Sequence, residues 1–145
     1  MLLVGENGML EELHFPKAAE QLQIPTNWQE NEIFFEEHLR QLHQYFGGER
    51  QEFHLPLAAK GTPFQERVWR ELCKIPFGKT ASYGEIAERI GNPKACRAVG
   101  MANKKNPIPI IIPCHRIIGK NGSLTGFGGG LSVKKQLLDL EDPAP

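Results

Sequence analysis

Apolar and polar positions alternate over short stretches in the first third of the chain and recur at three- and four-residue intervals later. This change of period divides the sequence into a mixed half and a helical half. Strands are predicted near Leu2 to Val4 and near Glu12 to Phe15, followed by a helix that starts after Asn31. Ile33, Phe34, Leu39, Leu42, Tyr45 and Phe46 form its apolar set, and Gly47-Gly48 supplies the stop. Glu52 to Leu55 alternates as a half-buried strand does. Pro56 to Thr62, with Gly61, reads as a linker, so the expected domains are residues 1–58 and 59–145.

The second half opens on Thr62-Pro63-Phe64-Gln65, an N-cap, a proline at the first helical position and a glutamine able to close a capping box. Phe64, Val68, Trp69 and Leu72 give this helix one apolar face until Pro76 and Gly78 end it. Ser82-Tyr83-Gly84-Glu85 offers a second capping box ahead of Ile86, Ala87 and Ile90. Gly91-Asn92-Pro93 breaks that helix. Lys94 to Ala102 restarts it, with Ala95, Ala98, Val99 and Ala102 inward and Lys94, Arg97 and Asn103 to Lys105 outward. Two short helices about a three-residue turn make a helix-turn-helix, and Ala98 and Gly100 are small enough to let the backbone approach a nucleic-acid groove. Ile108 to Pro113 is expected as a short buried strand or extended segment, because prolines bias their predecessors to extended backbone. A glycine-rich loop, residues 119–130, leads to a last helix from Ser132 to Leu140 with Val133, Leu137 and Leu138 inward. The fold class is therefore α+β: a small N-terminal α/β domain, a short antiparallel sheet plus a helix, packed on a mainly helical C-terminal domain.

Charge sharpens this division. The first 59 residues hold three basic and ten acidic side chains, net −7, and the rest hold fourteen and seven, net +7. Between Lys79 and Arg116 seven basic residues face two acidic ones, a footprint suited to a polyanion once the helix pair presents it. No apolar run approaches the roughly 20 residues of a membrane span, and the opening residues lack the pattern of a signal peptide. Three cysteines without CxxC spacing indicate neither a disulfide framework nor a zinc site, so a reducing, cytoplasmic setting without metal or cofactor is expected.

Of the three thiols, Cys73 and Cys96 fall within helical patterns and read as packing residues, whereas Cys114 sits in Pro113-Cys114-His115-Arg116. Two readings stand for it, an inert buried thiol or a nucleophile. A thiol at its ordinary pKa of about 8.5 is only slightly ionised at neutral pH, so a nucleophile needs a base or cationic neighbours. His115 and Arg116 are of those types. On an extended segment adjacent side chains diverge, and His115 then serves a structural hydrogen bond. If the backbone turns at Cys114, a histidine held by Glu141 makes a Cys-His-acid relay. Asn106 before Pro107 reads as a turn residue, Tyr83 as a packing aromatic and Arg97 as a surface charge.

Asn106-Pro107, Ile112-Pro113-Cys114-His115-Arg116-Ile117-Ile118, Gly129-Gly130-Leu131, Lys134, Leu137, Leu138 and Glu141 together resemble the O6-alkylguanine-DNA alkyltransferases. The similarity runs back through Ser82-Tyr83, Gly91-Asn92-Pro93 and Arg97-Ala98-Val99-Gly100, covering roughly residues 62–141. The acidic half matches only as a generic N-terminal domain, starting after the strand that usually opens it. The resemblance implies direct-reversal repair of double-stranded DNA that carries O6-alkylguanine, with O4-alkylthymine as a further candidate substrate. Cys114 is the implied alkyl acceptor, His115 the base acting through a water, Glu141 the acid that orients His115, and Asn106 the holder of the active-site turn. Tyr83 is implied to help rotate the target nucleotide out and to give the leaving guanine a proton. Arg97 is implied to fill the gap in the stack. The implied contact with DNA is through the minor groove, by a monomer, with Gly84, Asn92, Gly100 and Lys120 as backbone-contact candidates. Phe127, Gly128 and Gly129 are the implied pocket. The family often has tyrosine where Phe127 stands, and some relatives carry a side chain where Gly128 has none, which leaves the substrate range open. Rival readings are a non-enzymatic alkyltransferase-like protein, which lacks the acceptor cysteine, a helix-turn-helix regulator, and a cysteine hydrolase.

Overall fold

The computed structural model describes residues 1–142, and Pro143 to Pro145 at the end of the expected second domain lie outside them. The chain separates into two compact units, Met1–Ala58 and Ala59–Pro145. Strands β1 (Leu2–Glu6) and β2 (Met9–His14) form an antiparallel hairpin, and helices α1 (Pro16–Gln21) and α2 (Glu36–Phe46) complete the first unit. Both strands run past their expected ends toward each other. Asn7 and Gly8 join them with φ of 53° and 79°, the two left-handed positions that a two-residue type I′ turn demands.

Helix α2 starts at Glu36, later than expected, because Asn31 caps a preceding turn by accepting the Phe34 N–H. Its buried face is His38, Gln41, Leu42 and Tyr45, while Ile33, Leu39 and Phe46 are exposed. Positions 38, 41, 42 and 45 share one helical stripe, and 39 and 46 fall on the next. The predicted strand at Glu52 to Leu55 does not form. The Gln41 amide takes both backbone groups of His54, accepting its N–H at 2.9 Å and donating to its carbonyl at 3.1 Å, which leaves no ladder to extend. Leu10 instead bonds to the backbone of Pro56 and Ala58.

The second unit is helical: α3 (Pro63–Leu72), α4 (Tyr83–Arg89), α5 (Cys96–Lys104) and α6 (Leu131–Glu141). The Thr62–Gln65 capping box at α3 is present in both directions, and Ser82 caps α4 by accepting the Glu85 N–H. Val68, Trp69 and Leu72 are buried, and the Trp69 indole donates to the Ala102 carbonyl at 2.8 Å, tying α3 to the end of α5. The turn between α4 and α5 is longer than three residues, since Asn92 and Pro93 make their own turn and Ala95 becomes the cap of α5. Four side chains depart from expectation. Ala98 faces solvent, and Asn103, expected outward, is buried. Cys73 and Cys96 are exposed, because they stand at helix ends and not on buried faces.

Ile108 to Pro113 is buried apart from the partial exposure of Pro109, but it is a tight turn, not a strand. The Asn106 side chain accepts the Ile108 N–H at 3.0 Å and donates to the Ile112 carbonyl at 2.8 Å, closing the segment on itself. Ile110 is held at φ 74°, a strained conformation for a β-branched residue. A 3-10 turn, Cys114–Arg116, follows, and then β4 (Ile117–Ile118) pairs in parallel with β3 (Ala81–Ser82). That pairing fastens the start of α4 to the end of the Cys114 turn.

Candidate active site

The turn at Cys114 settles the geometric question left by the sequence. Cys114, His115 and Arg116 occupy successive positions of a 3-10 turn, and all three are buried. Helix α6 delivers Glu141 to them, with its carboxylate 2.6 Å from His115 Nε2. The same carboxylate accepts Arg116 Nε at 2.7 Å and Nη2 at 3.0 Å, while Nη1 donates to the Ile75 carbonyl at 2.7 Å. A carboxylate accepts, so Nε2 carries the ring proton when the imidazole is neutral, and Nδ1 is left as the basic nitrogen. Nδ1 is buried and bonds to none of the described residues.

Burial dominates the ionisation of this group. It pushes the Cys114 thiol up to about 11, against the opposing pull of the Asn106 amide, the Lys134 ammonium and the backbone N–H groups of Cys114 and His115. At neutral pH the thiol is therefore held protonated. His115 is also pushed, in its case downward, by burial first, with the Glu141 carboxylate working against it. Resting Cys114 and His115 are thus both uncharged, a pair in which the thiol has a base available but has not yet used it.

Backbone control of the nucleophile comes from two asparagines at the end of α5. Asn106 holds the segment before Cys114 as described, and Asn103 donates to the Cys114 carbonyl at 3.3 Å. Lys134 of α6 is fully buried, donates to the Thr125 carbonyl at 2.7 Å, and is pulled down by burial to about 8. Tyr83 donates to the same Thr125 carbonyl at 3.1 Å and accepts the Thr125 hydroxyl at 3.2 Å. The glycine-rich loop is thereby clasped by one helix on each side. Gly126 is left-handed at φ 51°, and a Cβ there would lie 3.3 Å from the Tyr83 hydroxyl.

The structure brings Cys114, His115, Glu141 and Asn106 together, and it links Tyr83 to them through Thr125 and Lys134. Gly100 packs against the Tyr83 ring, where an added Cβ would sit 3.7 Å from it. Gly84 faces Ser82 and the Cys96 sulfur. Arg97, Asn92 and Lys120 are exposed and make no recorded contact with the buried set. Phe127 and Gly129 are half-buried in the loop and Gly128 is exposed. Sequence reasoning gave Lys134 no role, placed Asn103 outward, and read Arg116 as a cationic neighbour of the thiol and not as the partner of Glu141. Their signal was indirect: a lysine on the inward stripe of α6, four residues from Leu138 and seven from Glu141.

Residues 63–143 match the model of the 6-O-methylguanine DNA methyltransferase DNA-binding domain, and residues 2–59 match that family's ribonuclease-like domain. A methylated-DNA–protein-cysteine methyltransferase of Methanosarcina acetivorans is 53% identical over 97% of this chain and 90% of its own length. One from Mycobacterium tuberculosis is 49% identical over 97% of this chain and 85% of its own. A crystal structure of Mycobacterium tuberculosis OGT in complex with DNA superposes with a TM-score of 0.88 at 47% identity, covering 97% of this chain and 85% of that one. With both units matched, the chain belongs to the 6-O-methylguanine DNA methyltransferase family, the methylated-DNA–protein-cysteine methyltransferases.

Proposed function

We propose that this chain repairs DNA by moving the alkyl group of O6-alkylguanine onto Cys114, once per molecule. The observation that carries the reading is the buried turn in which Cys114 adjoins a neutral His115 held by Glu141 at 2.6 Å. The Cys114 thiol passes its proton to His115 Nδ1 through a water. The thiolate sulfur attacks the alkyl carbon and forms a C–S bond as the C–O6 bond breaks. The freed electron pair returns to the base, which takes a proton from Tyr83, and the proton on His115 restores the tyrosine through solvent. Net, the thiol proton replaces the alkyl group on guanine. The thioether has no hydrolytic exit, so the protein is consumed.

The lesion must leave the stack to reach a buried sulfur, at a cost of a few kcal/mol that is lower for damaged pairs. Arg97, exposed on α5, fills the gap it leaves. The exposed Ala98 and the small Gly100 allow α5 to lie close in the minor groove, and Asn92, Gly84 and Lys120 reach the backbone. Phe127, Gly128 and Gly129 border the pocket.

The test is incubation with duplex DNA carrying radiolabelled O6-methylguanine, followed by digestion. One label per molecule on Cys114, and none in Cys114→Ala, is expected; DNA binding without transferred label sinks the reading. Arg97→Ala is expected to slow repair of duplex DNA while leaving the reaction with free O6-benzylguanine unchanged, because only the duplex requires extrusion. Equal losses on the two substrates remove Arg97 from the stack.

A further inference from the structure

The Glu141 carboxylate is shared. One oxygen serves His115 and Arg116 Nη2, and the other takes Arg116 Nε, so the guanidinium grips both oxygens while the imidazole touches one. Arg116 is itself buried, anchored by the Ile75 carbonyl, and lies 5.8 Å from the centre of the Phe77 ring. An imidazole bonded to a buried carboxylate ordinarily gains a proton, forming an ion pair. A histidine in that state has no vacant lone pair and cannot receive the thiol proton.

We propose that Arg116 is a positioning residue: its guanidinium, in place of a proton on His115, neutralises Glu141 and keeps His115 an uncharged base with Nδ1 open. The inference rests on the Cys114 transfer reading, and it concerns the resting charge of His115, which can be read without any transfer. Within the hydrogen-bonded cluster one guanidinium faces one carboxylate, and the buried Lys134 is a further cation acting on it. A proton added to His115 adds another buried cation beside Arg116 and Lys134 with no further carboxylate to pair it. The groups acting on His115 are Glu141 and Lys134 from α6 and Arg116 from its own turn. The other helix packed on the turn, α3, brings its end thiol Cys73 under the influence of Arg116. Lys134 adds to the repulsion, so both cations act in the same direction. The bidentate grip also fixes the carboxylate plane, and hence the tilt of the ring.

The experiment follows the His115 ring nitrogens by ¹⁵N NMR from pH 8 to 5 in the full chain, in the wild type and in Arg116→Gln, Arg116→Met and Arg116→Lys. Far-UV circular dichroism checks folding. In the wild type His115 is expected to stay neutral with Nε2 protonated across the range. Removing the cation in the Gln or Met variant should raise the His115 midpoint by about one unit or more, as a buried carboxylate partner does once unshared. The single-turnover transfer rate should then fall with the neutral fraction of His115, about tenfold one pH unit below the raised midpoint, and recover as pH rises. Arg116→Lys should restore a neutral His115. A wild-type His115 charged at pH 7, or a folded Gln or Met variant with an unmoved midpoint, overturns the proposal. Whether or not the variants fold, a wild-type midpoint above pH 6.5 overturns it. Wild-type protein that takes no label refutes the transfer reading, and the NMR result still tests Arg116.

Discussion

Each unit buries one histidine, and the two have opposite surroundings. His38, 4% exposed on α2, stacks on Phe34 at 5.8 Å and meets Phe35 edge-on, and neither of its ring nitrogens makes a hydrogen bond of ordinary geometry. His115, 0% exposed, is bonded to a carboxylate that a guanidinium also grips. Burial lowers the pKa of both. The contrast teaches that burial by itself yields a neutral packing group. A base needs one nitrogen fixed by an acceptor so that the other is defined as the acceptor of the incoming proton.

The most disruptive way to break this contrast is Glu141→Gln, which makes His115 resemble His38 but strands the buried Arg116. A loss of about 3–5 kcal/mol is expected in urea unfolding of the second unit, with transfer abolished in the fraction still folded. Exchanging the rings themselves is cleaner. His115→Phe should slow label transfer roughly 10²- to 10⁴-fold, and His38→Phe should leave the rate per folded molecule unchanged. A slowed His38→Phe protein means that the first unit contributes to the chemistry.

Amides extend the comparison. Gln41 clamps the backbone of His54, as Asn103 and Asn106 clamp the backbone around Cys114. Gln41→Leu leaves buried backbone groups unpaired and should cost about 1–3 kcal/mol in hydrogen exchange of α2, with no change in transfer. Asn103→Leu should instead slow transfer several-fold through a loosened Cys114 carbonyl. The smallest effect is pH-dependent. A histidine whose folded pKa lies below its unfolded value loses stability as pH falls through the unfolded value of about 6.5. The protection of α2 amides, corrected for their intrinsic exchange rate, should fall from pH 7 to 5, and His38→Phe should flatten that slope.

Local signals carried much of this architecture into the sequence. The Thr62–Gln65 box, the breaks at Gly47-Gly48 and Gly91, and the inward stripe of α6 are all written within a few adjacent positions. Asn7-Gly8 was equally local, the strongest short hairpin signal, and it extends both first strands beyond the alternation that predicted them. What alternation could not reveal was competition: residues 52–55 have the pattern of a strand, but a side chain thirteen positions away takes the backbone groups of His54. The candidate site divides in the same way. Cys114 and His115 are adjacent and legible, whereas the grip of Arg116 on Glu141 spans 25 positions and the burial of Lys134 depends on which face of α6 turns inward. A lysine on a helix reads as surface until packing says otherwise.

A thiol held at about 11 has a further consequence, for what it does not react with. Peroxides and soft electrophiles consume thiolates, and Cys114 offers them almost none. On the proposed single use of Cys114, any wrong partner exhausts the acceptor as completely as the right one. Cys96 and Cys73, exposed at helix ends, meet such reagents first. On that reading, a protonated Cys114 resists small oxidants in exchange for a small thiolate fraction at rest, while the rare thiolate is intrinsically the stronger nucleophile.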